Sequence, residues 1–230
     1  MEITQYTGAE EIARRWDVSR DEMDVYSAES NRRARRAQDE GRFEREIVPL
    51  GEAARDEGPR DPDLDRIRSL PTLLPGGRLT AASSSQISDA SAALLVASER
   101  AVRDHGLTPR ARVHHMTVLA NDPVIMLAAP IPATQRALER TSMRPDDFDV
   151  VENNEAFAPV VLAWQKELGF DPERVNPNGG AIALGHPLGA TGARLMTTML
   201  HELERTGGRW GLQTMCERGG MANVTIIERL

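Results

Sequence analysis

The sequence predicts an α/β fold of layered strands and helices, and two observations carry that prediction. From Leu79 onward, strand candidates alternate with helical patterns, the texture of layered α/β architecture. The chain then closes on two strand candidates, Trp210–Met215 and Ala222–Ile227, joined by Cys216–Met221. Such a hairpin places antiparallel strands at one edge of the sheet. No short-period repeat competes with this reading.

The elements follow in order. The first fifty residues read as helices with an extended exit. Ser19-Arg20-Asp21-Glu22 is a capping box, and Met23, Tyr26, Ser30, Ala34 and Ala37 follow at helical spacing. Gly41 is placed to end that helix, and Glu46–Leu50 is a short strand candidate. Residues 51–77 are charged, then rich in Pro and Gly, and read as a long excursion with little regular structure. Ala92–Ala97 is a small-residue apolar run, and Glu99–His105 is a helix closed by Gly106. Val113–Leu119 is a strand. Pro132–Thr141 is a helix with Pro in its first turn. Asp149–Val151 leads into an apolar helix at Ala156–Leu168, and a further helix runs from about Ala190 to Glu204.

Composition bounds the function. Aromatics are 4% of 230 residues, so the core is aliphatic. A net charge of −7 argues against a general nucleic-acid binder. The Arg-Arg-Ala-Arg-Arg run at 32–36 reads as a solvated helix face, with a basic surface that attracts an anionic ligand as the alternative. No apolar run is long enough to span a bilayer, and the N-terminus lacks a secretory pattern. One cysteine, Cys216, excludes an internal disulfide framework and fits a reducing cytoplasm.

Three clusters combine a reactive side chain with backbone that turns freely. Glu152-Asn153-Asn154-Glu155-Ala156-Phe157 sits where a strand gives way to a helix. Asn154 there either caps the helix or orients a water or ligand carbonyl at its N-terminus. Asn176-Pro177-Asn178-Gly179-Gly180 precedes Gly185-His186-Pro187. Pro187 pushes His186 out of the helical region. A histidine so held is either a satisfied structural residue or an acid/base and oxyanion group. Cys216-Glu217-Arg218-Gly219-Gly220 places the only thiol at a strand end. A lone cysteine is usually a small buried hydrophobe, but exposure and nearby donors would make this one reactive.

In this order and at these intervals, the Asn-Glu-Ala-Phe, Gly-His-Pro and Cys-containing motifs closely resemble those of the thiolase family. "LTAASSSQISDASAALL" is similar to that family's pantetheine-binding stretch, and "NDPVIMLAAPIPATQRALER" to the start of its second half. The opening 24 residues resemble its loop-domain helices. The resemblance implies a layered αβα fold with a mixed five-stranded sheet in the C-terminal domain. It implies a loop-domain remnant at 1–78, a remnant of the first core domain at 79–106 and the C-terminal domain at 107–230. It implies catalytic roles for Cys216, His186 and Asn154. His186 and an Asn154-held water would form an oxyanion hole, His186 would also activate the nucleophilic cysteine, and Cys216 would move a proton at the substrate α-carbon. Ser85 would contact the pantetheine arm of coenzyme A. Acyl-CoA is then substrate; no bound cofactor and no metal ligand are implied. The reaction is cleavage of 3-ketoacyl-CoA or the reverse condensation, in a cytoplasmic oligomer.

The family uses a second, nucleophilic cysteine in its N-terminal half, and the resemblance implies that this half is absent from the chain. The chain alone is therefore expected to be inactive, its missing half either cut off by a misplaced start at an internal Met or supplied by a partner chain. The alternative is a non-catalytic, acyl-CoA-binding subunit of a larger assembly. Arg218 stands where the family has Gly, Ala82 and Ala90 replace glycines, and Ser83 replaces an Asn. These changes bear on rate and coenzyme A affinity and not on the fold of the second domain.

Overall fold

The computed structural model describes residues 3–230; Met1 and Glu2, the start of the expected loop-domain segment, lie outside it. Two N-terminal helices, α1 (Gln5–Arg15) and α2 (Arg20–Asp39), open the chain. The capping box read from the sequence is present: Ser19 Oγ accepts from Glu22 N–H, and Glu22 accepts from Ser19 N–H. Each such cap is worth about 1 kcal/mol. Gly41 follows α2 in the left-handed region at φ +68°. The strand expected at Glu46–Leu50 is absent. Residues 41–46 form turns, and Leu50 makes only an isolated bridge to Ala53. The short helices α3 (Leu64–Arg68) and α4 (Glu99–Asp104) flank a long stretch without regular structure. Within that stretch Ile87, Leu95 and Val96 are exposed, so the Ala92–Ala97 run packs against no strand.

The sheet has four strands in the order β1-β4-β3-β2: β1 (Ala111–Ala120), β2 (Val150–Asn153), β3 (Trp210–Glu217) and β4 (Met221–Arg229). β1–β4 and β4–β3 pair antiparallel, and β3–β2 pairs parallel. The sheet is therefore mixed, as expected, and the β3–β4 hairpin is the one read from the sequence. It lies at the centre of the sheet and not at an edge, because β1 pairs with β4 and β2 with β3 on the outer sides. The expected fifth strand is reduced to a single parallel bridge, Val151 to Val175. Asn176 explains why. It sits at φ +49° and turns the chain away, with Pro177 following. Its side-chain amide then stands in for a peptide unit. Asn176 Oδ1 accepts from Asn153 N–H at 2.9 Å, and Nδ2 donates to Asn153 O at 2.8 Å. The edge of β2 is satisfied without another strand.

Helices cover both faces of the sheet. Helices α5 (Pro130–Thr141) and α6 (Ala158–Leu168) lie on the face that presents Leu212, Val224 and Ile226. Helix α8 (Thr191–Thr206) packs Met199 and Leu203 against Val150 and Ile227 on the other face. Alternation along β4 explains this, since successive residues point to opposite faces. Trp164 anchors the first layer. It is fully buried, stacks on Phe170 at 4.3 Å and donates from Nε1 to Thr134 Oγ1 at 3.0 Å. The N-terminal helices are not a separate body. Ala9, Ile12, Met23 and Leu79 share one core with Val151, Trp164 and Leu212. No helix among the described residues is long and apolar enough to cross a membrane.

Candidate active site

The carboxyl ends of β2 and β3 build the site. Because these strands run parallel with Asn153 opposite Thr214, the chain leaves β2 beside the end of β3. Asn154 N–H donates to Thr214 O at 3.1 Å, two residues before Cys216. Asn154 is buried and precedes α6, but α6 has no side-chain cap. Its amide instead meets the imidazole of His186, Nδ2 to Nε2 at 3.4 Å.

His186 leaves the one-turn helix α7 (Ala181–Leu184) through Gly185, whose φ of +88° suits glycine. The histidine N–H donates to Gln86 O at 2.9 Å, and Gln86 N–H donates to Ala181 O at 3.2 Å. Gln86 Nε2 also donates to the carbonyls of Ile182 and Ala183, both at 2.9 Å. One residue thus fastens the 83–86 segment to the His186 turn. Ser85, half-buried, lies in that segment, its N–H on Ala156 O at 3.0 Å. Backbone bonds therefore bring Ser85, Asn154 and His186 together, with Asn154 tied to the end of the strand that carries Cys216.

Glu155 holds this arrangement from behind. Its buried carboxylate accepts four bonds: Tyr26 Oη at 2.8 Å, Ser30 Oγ at 2.7 Å, Asn176 Nδ2 at 3.1 Å and Ile182 N–H at 3.0 Å. These donors come from α2, from the turn at Asn176 and from α7. Gly180 is required beside them, because a Cβ there would collide with the Glu155 carboxylate. Glu155 and Asn176 lie in clusters singled out from the sequence, but they were given no role there because their partners are distant in sequence. Gln86 was missed, and only its place directly after Ser85 could have hinted at it.

The sequence left Cys216 open between a small buried residue and an exposed, reactive thiol. The thiol is buried, 8% exposed, on the core face of β3. Burial pushes its pKa up to about 12, and the neighbouring Glu217 adds to the rise. Burial also lowers the pKa of His186, helped by the charge of Arg194, so the ring is neutral near pH 7. Arg218 is exposed and does not take left-handed backbone; Gly219 and Gly220, at φ +81° and +85°, make the turn. An arginine therefore fits there without backbone strain. Ser83, where the family pattern has Asn, accepts Thr80 N–H at 2.9 Å and closes its own turn. Among the described residues no group of three His, Cys, Asp or Glu is placed to hold a metal ion.

Fold and site define a class: a layered α/β protein with an amide–imidazole pair beside one end of a mixed sheet. The comparisons with known proteins give the family. The model of the thiolase C-terminal domain matches residues 107–229, and that of the thiolase N-terminal domain matches residues 3–100. The chain belongs to the thiolase family. It is 62% identical over 233 residues to the steroid 3-ketoacyl-CoA thiolase FadA6 of Mycobacterium tuberculosis, covering 100% of this chain and 57% of that protein. It is 47% identical to a beta-ketoadipyl-CoA thiolase of Pseudomonas aeruginosa, covering 96% of this chain and 58% of that protein. The crystal structure of human mitochondrial 3-ketoacyl-CoA thiolase in complex with CoA superposes with a TM-score of 0.91 at 37% identity. That match covers 97% of this chain and 58% of the human one. The chain thus spans a little under three-fifths of these relatives' length.

Proposed function

We propose that this chain supplies the proton-transfer side of a thiolase site acting on a 3-ketoacyl-CoA thioester. The pantetheine arm lies along Ser85, the thioester oxygen faces Asn154 and His186, and the substrate α-carbon faces Cys216. The single observation that carries this reading is the Asn154–His186 pair, 3.4 Å apart beside the end of the Cys216 strand. A preorganised amide and imidazole suit the negative charge that develops on an enolate oxygen. Asn154 Oδ1 is buried with no partner among the described residues, which suits an amide that receives a water.

The chemistry then follows from the thiol. In cleavage, a thiolate attacks the 3-keto carbon and the bond from that carbon to the α-carbon breaks. The electron pair passes into the enolate of acetyl-CoA, which takes a proton from Cys216. Burial keeps the Cys216 thiol protonated near neutrality, and that supports the donor role and the cleavage direction. The attacking thiolate must come from outside these 230 residues, since Cys216 is the only cysteine. Turnover therefore requires a polypeptide carrying the N-terminal thiolase half. The exposed Ile87, Leu95 and Val96 offer such a partner apolar surface. The single cysteine suits a reducing cytoplasm.

The test is thiolysis of acetoacetyl-CoA, measured for the purified chain and for the chain co-expressed with a thiolase N-terminal half. The expected result is no turnover alone, turnover in the assembly, and its loss with Cys216→Ala. Robust turnover by the chain alone would force a one-cysteine mechanism.

A further inference from the structure

We propose that Thr191 is a positioning residue that fixes His186 as the Nδ1–H tautomer and leaves Nε2 unprotonated, an acceptor facing Asn154. The inference rests on the reading of His186 as part of a thioester site. Its geometric premise stands apart from that reading.

Thr191 is the first residue of α8 and is fully buried. Its Oγ1 lies 2.9 Å from Pro187 O and 2.7 Å from His186 Nδ1. A hydroxyl has one proton to give. Pro187 O has none, so two oxygens 2.9 Å apart would repel unless the hydroxyl proton lies between them. The proton is therefore committed to Pro187 O, and Oγ1 turns a lone pair toward the ring. At 2.7 Å only an N–H can meet that lone pair, so Nδ1 carries the ring proton. Rotation does not relieve this assignment, because a β-branched threonine at the start of a helix has few χ1 choices.

The other side of the ring agrees in donor sense. A neutral imidazole protonated at Nδ1 has an unprotonated Nε2, and Asn154 Nδ2 at 3.4 Å is a donor aimed at it. Burial and the Arg194 charge keep the ring from taking a second proton at rest. The consequence for chemistry is specific. When a thiol approaches, its S–H bond breaks and the proton bonds to Nε2, giving a thiolate and an imidazolium. The new Nε2–H can then donate to a substrate oxygen, while Nδ1–H stays on Thr191. In the opposite tautomer, Nε2 would begin as a donor and could accept nothing. Thr191 thus acts through His186 and touches no substrate itself.

Long-range proton–nitrogen NMR of the imidazole rings reads the tautomer directly on the 230-residue chain. His186 is assigned by the signals lost in His186→Asn. Assignment is needed because His201 Nδ1 also lies 2.9 Å from a carbonyl, that of Thr197. The expected result is an unprotonated Nε2 in the wild-type ring. Thr191→Val should move the tautomer ratio roughly fivefold or more toward Nε2–H, the change expected on losing one hydrogen bond. Thr191→Ser should restore the wild-type pattern. A wild-type His186 protonated at Nε2 overturns the proposal whether or not the valine variant folds, as does an unchanged ratio in a folded Thr191→Val. This readout needs no turnover. Inactivity of the completed assembly would sink the thioester reading and leave the tautomer assignment standing.

Discussion

Glu152 makes the stability of this chain fall as pH rises through neutrality. Its side chain is fully buried, and neither carboxylate oxygen has a partner among the described residues. Burial raises its pKa from 4.5 to about 8, against the opposing charge of Arg194. At about 1.4 kcal/mol for each tenfold change, the ionised form is penalised by about 5 kcal/mol. Between the two pKa values the native state holds a proton that the unfolded state has lost. The resulting stability is complete below the unfolded pKa and is lost as pH climbs through the folded one. His186, His201 and His115 have lowered pKa values and oppose this trend only below their ordinary value of 6.5. Above that, Glu152 dominates, with a smaller part from Glu46, raised to about 7. Urea unfolding from about pH 6.5 to about pH 8 should therefore show a loss of about 2 kcal/mol from Glu152 alone. Glu152→Gln, which carries no titrating proton, should remove most of that slope. An equal slope in both proteins would refute the reasoning.

Two further outcomes test the site. Cys216 should be alkylated by iodoacetamide on the order of a thousandfold more slowly in the native chain than in denaturant, because a buried thiol near pKa 12 offers almost no thiolate; fast native labelling, read by mass spectrometry, would remove the protonated-donor argument. Glu155→Gln turns an amide donor toward groups that already donate and should cost about 3 kcal/mol, read as a lowered urea midpoint.

Local signals carried most of the secondary structure and little of the site's support. The Ser19 box, Gly41, the hairpin about Gly219-Gly220 and the alternation of strand and helix are short-range features, so a linear reading finds them. Where a tertiary contact overrode local pattern, the reading failed. Glu46–Leu50 has strand-like residues but no neighbouring edge to pair with, and Glu46 instead accepts from Thr198 Oγ1 on α8 at 2.9 Å. The fifth strand was lost to one amide at Asn176. Cys216 was legible both as a motif and as a small buried residue, and the helices packed over β3 supply that burial. Arg218 carries no backbone cost, because Gly219 and Gly220 take the positive φ of the turn.

The same distinction explains how the site keeps its shape. Asn154 and Cys216 end adjacent parallel strands, so backbone pairing alone sets their separation. His186 lies on a loop, where precision has to come from elsewhere. It is held at its N–H by Gln86, at Nδ1 by Thr191 and at Nε2 by Asn154, and each partner belongs to a different segment. Glu155 gathers α2, the Asn176 turn and α7 on a single carboxylate, and it is the residue next to Asn154. A shift of α2 would therefore reach Asn154 through one side chain. The N-terminal helices share the core of the sheet for this reason as well as for burial: they carry two of the four donors that keep the amide and the imidazole facing each other.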